Sequence, residues 1–256
     1  MKNIIKAQFF QLKRDRLSFI VAFMMTAALI YLVWFAWIVW EHEFTAGSYF
    51  VDNLMMQVMI AIMPMLMLVG QMCCCDFPDK TINSELMGGH KRIECYFGRA
   101  IPCILVSVPM AMLMIAIPVI FAYFLGGWGS EVTVGAVAGR FLLVGVVLLR
   151  LVCEYIMLSF IVKNPYIMMA LGYMVFVLQV SPFFDGMESH VLAITNLNML
   201  FHIGGWYTYG IEDSVNFVYD LSMEPMQIFG TVAVSLIVSA VTLVIGYVFF
   251  KNDDMN

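Results

Sequence analysis

Apolar residues in this chain gather into six long runs, at about 17–40, 53–75, 100–125, 134–162, 165–183 and 227–250, with polar stretches between them. Each run reaches the roughly 18 residues that carry a helix across a bilayer's hydrocarbon core, so the pattern predicts six membrane-crossing helices. The first and last are free of charge and proline, whereas the third contains Pro102, Pro109 and Pro118. A membrane helix tolerates proline where neighbours re-satisfy the freed carbonyls, and a bend is expected there.

Three polar intervals break the pattern in informative ways. Residues 2–16, KNIIKAQFFQLKRDR, place Lys2, Lys6 and Lys13 on one arc of a helix with Ile4, Ile5 and Leu12 elsewhere, which predicts either a helix lying on the membrane surface or a plain basic topology signal. Residues 76–99 begin a capped element: Asp79 suits an N-cap, Ile82 and Leu86 form an i, i+4 apolar pair, and Gly88-Gly89 supplies a left-handed stop. A connector that only reverses direction needs about two to eight residues, so a segment of this length predicts a docking surface. Residues 184–226 hold a short apolar run, VLAITNLNMLFHI, then GGWYTYG. That run is too short to cross, and it predicts either a helical hairpin dipping into the membrane or a loop folded over the bundle.

Composition agrees with the pattern. Hydrophobic residues make up 62% of the chain and charged ones 12%, about half the charged share of a soluble domain. Segments 1–16, 76–99, 163 and 251–256 carry 11 of the 13 Lys and Arg, while 41–52, 126–133 and 184–226 carry ten acids and no Lys or Arg. Basic loops stay in the cytoplasm, which puts both termini and the 76–99 segment inside. Trp34, Trp37 and Trp40 then anchor the outer end of the first span. Basic residues precede that 24-residue run as in a signal peptide, but no small-x-small cleavage site follows, so it reads as a retained anchor in a single membrane domain, 1–256.

Candidate chemistry is sparse. Four histidines (His42, His90, His190, His202) form no HExxH, and no Gly precedes a Lys, which excludes a phosphate-binding Gly-x-x-x-x-Gly-Lys loop. A non-catalytic chain without a nucleotide or metal site of its own is expected. With the first run read as a retained anchor, the six cysteines read as reduced thiols instead of a disulfide framework, and Cys73, Cys74 and Cys75 point about 100° apart on a helix and cannot converge on one metal. Arg150 and Glu154, at i, i+4 inside the fourth run, should pair facing protein or water, as a structural pair or as part of a transport path. Arg140 can snorkel toward the acidic end. Met55, Met59, Met63 and Met67 repeat every fourth residue of the second run, as packing or as a surface adaptable to varied apolar ligands. Gly135 and Gly139 form a small-x-x-x-small pattern.

This layout, with the segment CDFPDKTINSELMGGHKRIECYFGRA between the second and third spans, resembles the type-2 ATP-binding cassette permeases, the membrane subunits of bacterial ABC exporters. The resemblance rests on Asp76, Asp79, Thr81, Ile82, Leu86, Gly88, Lys91, Arg92, Tyr96, Gly98 and Arg99. It implies an all-α membrane protein with an N-terminal elbow helix over 1–16, a cytoplasmic coupling helix within 76–99 and an outer re-entrant hairpin over 184–226. It assigns ATPase coupling to Asp79, Thr81, Ile82, Glu85, Leu86, Lys91 and Arg92, and a substrate path to Met55, Met59, Met63, Arg150 and Glu154. Implied partners are two copies of a cytoplasmic ATPase subunit that binds ATP and Mg, a second permease copy or sister subunit, and the lipid of a bacterial cytoplasmic membrane, with no nucleic acid. Permeases of this size resemble those exporting or giving immunity to antimicrobial or cytolytic peptides, and the acidic outer segments suit a cationic peptide. The alternative is an immunity protein that binds peptide without pumping it.

Overall fold

A computed structural model describes residues 2–14, 16–39, 45–78, 81–130, 132–180, 206–208, 218–220 and 225–252 of the chain. The described elements are α1 (Lys2–Arg14), α2 (Leu17–Val39), α3 (Ala46–Val69), α4 (Thr81–Met87), α5 (Arg92–Gly126), α6 (Val134–Val162), α7 (Pro165–Val180), β1 (Trp206–Thr208), β2 (Val218–Asp220) and α8 (Pro225–Lys251). A π-helical turn, Gly70–Cys74, extends α3.

Among the described residues five helices are long and apolar enough to cross a membrane: α2, α3 with its π turn, α5, α6 and α8 from Ile228. These correspond to five of the six expected spans, and a multi-pass membrane protein follows. The run at 165–183 appears as α7, whose 16 described residues reach about 24 Å at 1.5 Å each, short of a hydrocarbon core of about 30 Å.

Two helices begin well before their apolar runs. α3 starts at Ala46 because Thr45 and Ser48 form a reciprocal capping box, with Thr45 Oγ1 accepting from the Ser48 N–H at 3.4 Å and Ser48 Oγ from the Thr45 N–H at 3.3 Å. α5 starts at Arg92, where Glu94 accepts the Lys91 N–H at 3.4 Å, and runs 35 residues through all three prolines. α4 stops where the glycine pair predicts: Gly89 adopts φ 87°, and the His90 N–H reaches back to the Glu85 carbonyl at 3.3 Å.

The helices divide into centre and rim. The apolar windows of α3 and α6 are 61% buried within the chain, against 22% for α2 and α8, so α3 and α6 form the axis and the others turn wide apolar faces outward. α8 lies along α6, α5 along α3, and α2 against both α3 and α5. Close approach is built in by glycine. At Gly98 an added Cβ would sit 2.8 Å from Ile4 Cγ2, which seats α1 directly on α5.

α1 presents Ile4, Gln8 and Leu12 inward and leaves Lys6, Lys13, Phe9 and Phe10 outward. Most of the expected 184–226 hairpin lies outside the described residues. Of the eight that are described, six pair as an antiparallel ladder, Trp206 opposite Asp220 and Thr208 opposite Val218, and Pro225 and Met226 open α8.

Candidate functional site

The polar 76–99 segment folds against one end of the bundle, where α1, the end of α3, α4, α5 and α8 meet. The backbone leaves the π turn through Cys75, whose N–H bonds the Gly70 carbonyl at 3.2 Å, and places Asp76 in the interior. Its carboxylate then gathers three elements. Oδ2 accepts from Arg99 Nε at 2.6 Å and from Gln8 Nε2 at 3.1 Å, and Oδ1 accepts the Thr81 hydroxyl at 3.0 Å.

Arg99 closes the circuit. Only 1% exposed, it also donates Nη1 to Glu85 at 2.8 Å and to the Cys95 carbonyl at 3.3 Å. One cation thus ties α5 to the end of α3 and to α4. A buried ion costs several kcal/mol in lost hydration, and this one is tolerable because two carboxylates and a carbonyl replace its water.

α4 therefore has an inner and an outer side. Ile82 is 1% exposed, Leu86 packs against the core and Glu85 is engaged by Arg99, whereas Ser84, Met87 and Gly88 face outward. Asp79 lies outside the described residues. Lys91 is exposed, and Arg92 donates Nη1 to the carbonyls of Phe250 and Lys251 at 3.2 and 2.6 Å, capping the end of α8.

Beneath this polar layer lies a box of rings, of which the sequence pattern had marked Tyr96 alone. Phe77 meets Phe160 at 5.7 Å and Phe250 at 6.3 Å between centroids, and Tyr96 meets Phe160 at 4.5 Å. The Tyr96 hydroxyl donates to the Leu243 carbonyl at 2.9 Å. The box links the turn after α3 to α5, α6 and α8. Gln8 was missed as well, because its partner is 68 residues away and no local pattern marks such a pair.

Deeper in the bundle, Arg150 and Glu154 pair as expected, Nε to Oε1 at 2.8 Å, and both are buried. The other Glu154 oxygen accepts from Gln179 Nε2 of α7 at 2.8 Å, a third member that the sequence spacing could not reveal. Met55, Met59 and Met63 occupy the less buried side of α3, apart from that triad's position on α6 and α7. All six cysteines are free thiols, five of them buried, and no group of three His, Cys, Asp or Glu able to hold a metal occurs among the described residues. No protein family model, no curated protein and no solved structure matches the chain.

Proposed function

We propose that this chain is the permease subunit of an ATP-driven exporter of the type-2 ATP-binding cassette kind. It would pair with a second permease and move a hydrophobic or amphipathic substrate, an antimicrobial or cytolytic peptide. The observation that carries this reading is the seat of α4. A two-turn helix is clamped to the bundle by buried charge on one side and offers Met87, 84% exposed, with Ser84 on the other. A helix held this rigidly can pass a load applied to its outer side into α5 and α8. In this reading Ile82, Glu85 and Arg92 transmit the load, and an ATPase touches the outer residues.

The acidic 41–52, 126–133 and 184–226 segments would attract a cationic peptide on the far side. A chain that only sequesters peptide gives no reason for a clamped helix at the opposite, basic end.

The test is copurification of an ATPase with the tagged chain and stimulation of its turnover by a cationic amphipathic peptide. Met87→Asp, paired with Ser84→Arg, alters exposed positions and should preserve the fold. Because Met87 would be a buried anchor of the interface, ATPase affinity should drop about tenfold or more. Full affinity and full stimulation in the double variant, or no ATPase bound to the native chain, would overturn the proposal.

A further inference from the structure

Helix α1 carries charge of one sign. Its 13 residues, KNIIKAQFFQLKR, hold four Lys and Arg and no Asp or Glu. At about 100° per residue the inward Ile4, Gln8 and Leu12 span an arc of about 80°, and Lys6 and Lys13 lie within about 20° of each other on the opposite side. Both lysines are exposed. Phe9 and Phe10 flank them, one on each side, 41% and 70% exposed.

Two exposed rings beside two ammonium groups suit neither open water nor a hydrocarbon interior. They suit a bilayer surface, where rings enter between headgroups and lysines stay level with the phosphates. The chain holds α1 near that level. It ends at Arg14, and α2, long enough to cross a membrane, begins at Leu17, which leaves a reach of about 10 Å between them. The apolar side chains that α2 turns outward, Leu17, Phe19, Ile20 and Phe23, begin at once, and Arg16 adds a third exposed cation at the junction.

The inward side of the same helix reaches the clamp on α4. Gln8, 3% exposed, donates Nε2 to Asp76 Oδ2 at 3.1 Å, the oxygen that Arg99 Nε also contacts at 2.6 Å. The other carboxylate oxygen accepts the Thr81 hydroxyl of α4 at 3.0 Å, so one side chain separates α1 from α4. Ile4 is seated on Gly98, the residue before Arg99. A tilt of α1 off α5 would withdraw a donor from Asp76 and open the contact beside Arg99.

We propose that the outward side of α1 binds an anionic bilayer surface and that this binding holds α4 in its seat through Gln8 and Asp76. Lys6, Lys13 and Arg16 supply attraction to lipids of net negative charge, and Phe9 and Phe10 supply an anchor indifferent to that charge. A zwitterionic surface engages the rings alone and leaves α4 looser. Any consequence for ATPase coupling rests on the reading of α4 given above, but the lipid dependence of its seat is measured without an ATPase, so either can fail alone.

The full chain is reconstituted in nanodiscs of palmitoyl-oleoyl-phosphatidylcholine, alone or mixed equally with the phosphatidylglycerol of the same chains. Hydrogen exchange at α1, α4 and α6 is followed by mass spectrometry. Phosphatidylglycerol should slow exchange in α1 about tenfold or more, as two lysines beside an anionic surface predict, slow α4 several-fold and leave α6 unchanged. Salt near 1 M, where the screening length falls to about 3 Å, should abolish the difference. Lys6→Gln with Lys13→Gln should abolish it too, and Lys6→Arg with Lys13→Arg should keep it. Phe10→Ser should speed α1 exchange in both lipids. Gln8→Leu should leave the lipid response of α1 intact and remove that of α4.

Equal exchange in the two lipids, a preference surviving the double glutamine variant or high salt, or an α4 that still follows the lipid in Gln8→Leu would overturn the proposal. So would a double glutamine variant with native exchange in both lipids that binds an ATPase about tenfold more weakly, which would assign this side of α1 to a protein partner.

Discussion

Replacing Arg99 by methionine keeps the length and most of the volume of the side chain but removes the cation that touches both Asp76 and Glu85. Removing one member of a buried ion pair costs about 3–5 kcal/mol, because the other member stays buried without compensation. Two features put the expected loss at the low end. The Asp76 side chain, 5% exposed, keeps donors from Gln8 at 3.1 Å and Thr81 at 3.0 Å. The Glu85 side chain is 24% exposed and can recover water, so its pairing counts for no more than the roughly 1 kcal/mol of a surface bridge. Together these give about 3 kcal/mol for Arg99→Met.

The partner substitution Asp76→Asn separates charge from packing, since the amide keeps a polar contact for Thr81 and leaves no stranded anion. The double variant should therefore be less destabilised than the sum of the singles by about 2 kcal/mol. Reversible unfolding in mixed micelles, followed by circular dichroism, measures all four chains, and hydrogen exchange at the α4 amides reports whether that helix loosens first. A loss below about 1 kcal/mol for Arg99→Met, or strictly additive singles, would refute the idea that buried charge holds α4.

Gly98→Val should lift α1 from α5, because its Cβ would sit 2.8 Å from Ile4 Cγ2; an overpacking cost of about 1–3 kcal/mol is expected, and proteolysis confined to α1 would report it. Protection of α1 equal to that of the native chain would contradict the contact. Glu154→Gln leaves Arg150 buried without its anion and should cost about 3 kcal/mol, whereas Gln179→Leu removes one hydrogen bond and should cost about 1–2 kcal/mol. Equal losses in the same unfolding assay would mean that the charge is already compensated elsewhere.

The sequence announced what is local and periodic. α2 and α6 end within a residue of their apolar runs, α4 stops at its glycine pair, and Arg150 finds Glu154 because i, i+4 spacing dictates it. It understated helices that outrun their apolarity. Asp52 closed a segment, 41–52, that looked polar, although Thr45 and Ser48 already cap a helix that starts inside it. Arg92 through Arg99 lie ahead of the apolar run, yet they are helical, as a helix once nucleated continues through charged residues at little cost. Contacts distant in sequence were illegible: Gln8 with Asp76, Arg92 with the end of α8 and Gln179 with Glu154 depend on where the helices cross, which hydropathy does not encode.

The consequence for α4 follows from how its anchors are distributed. A helix of seven residues is too short to hold itself together in water, so its geometry is inherited from Arg99, Ile82 and the Asp76 turn. Those anchors differ in stiffness. The ion contacts fix α4 to α5, which also carries Arg92 against the end of α8 and Tyr96 against Phe160. The link toward α3 instead passes through the π turn, where each N–H reaches a residue further than in an α-helix and the backbone has a neighbouring register available. A displacement of α4 should therefore carry α5 and α8 with it and be taken up at Gly70–Cys74, leaving most of α3 as the fixed axis about which the rim helices shift.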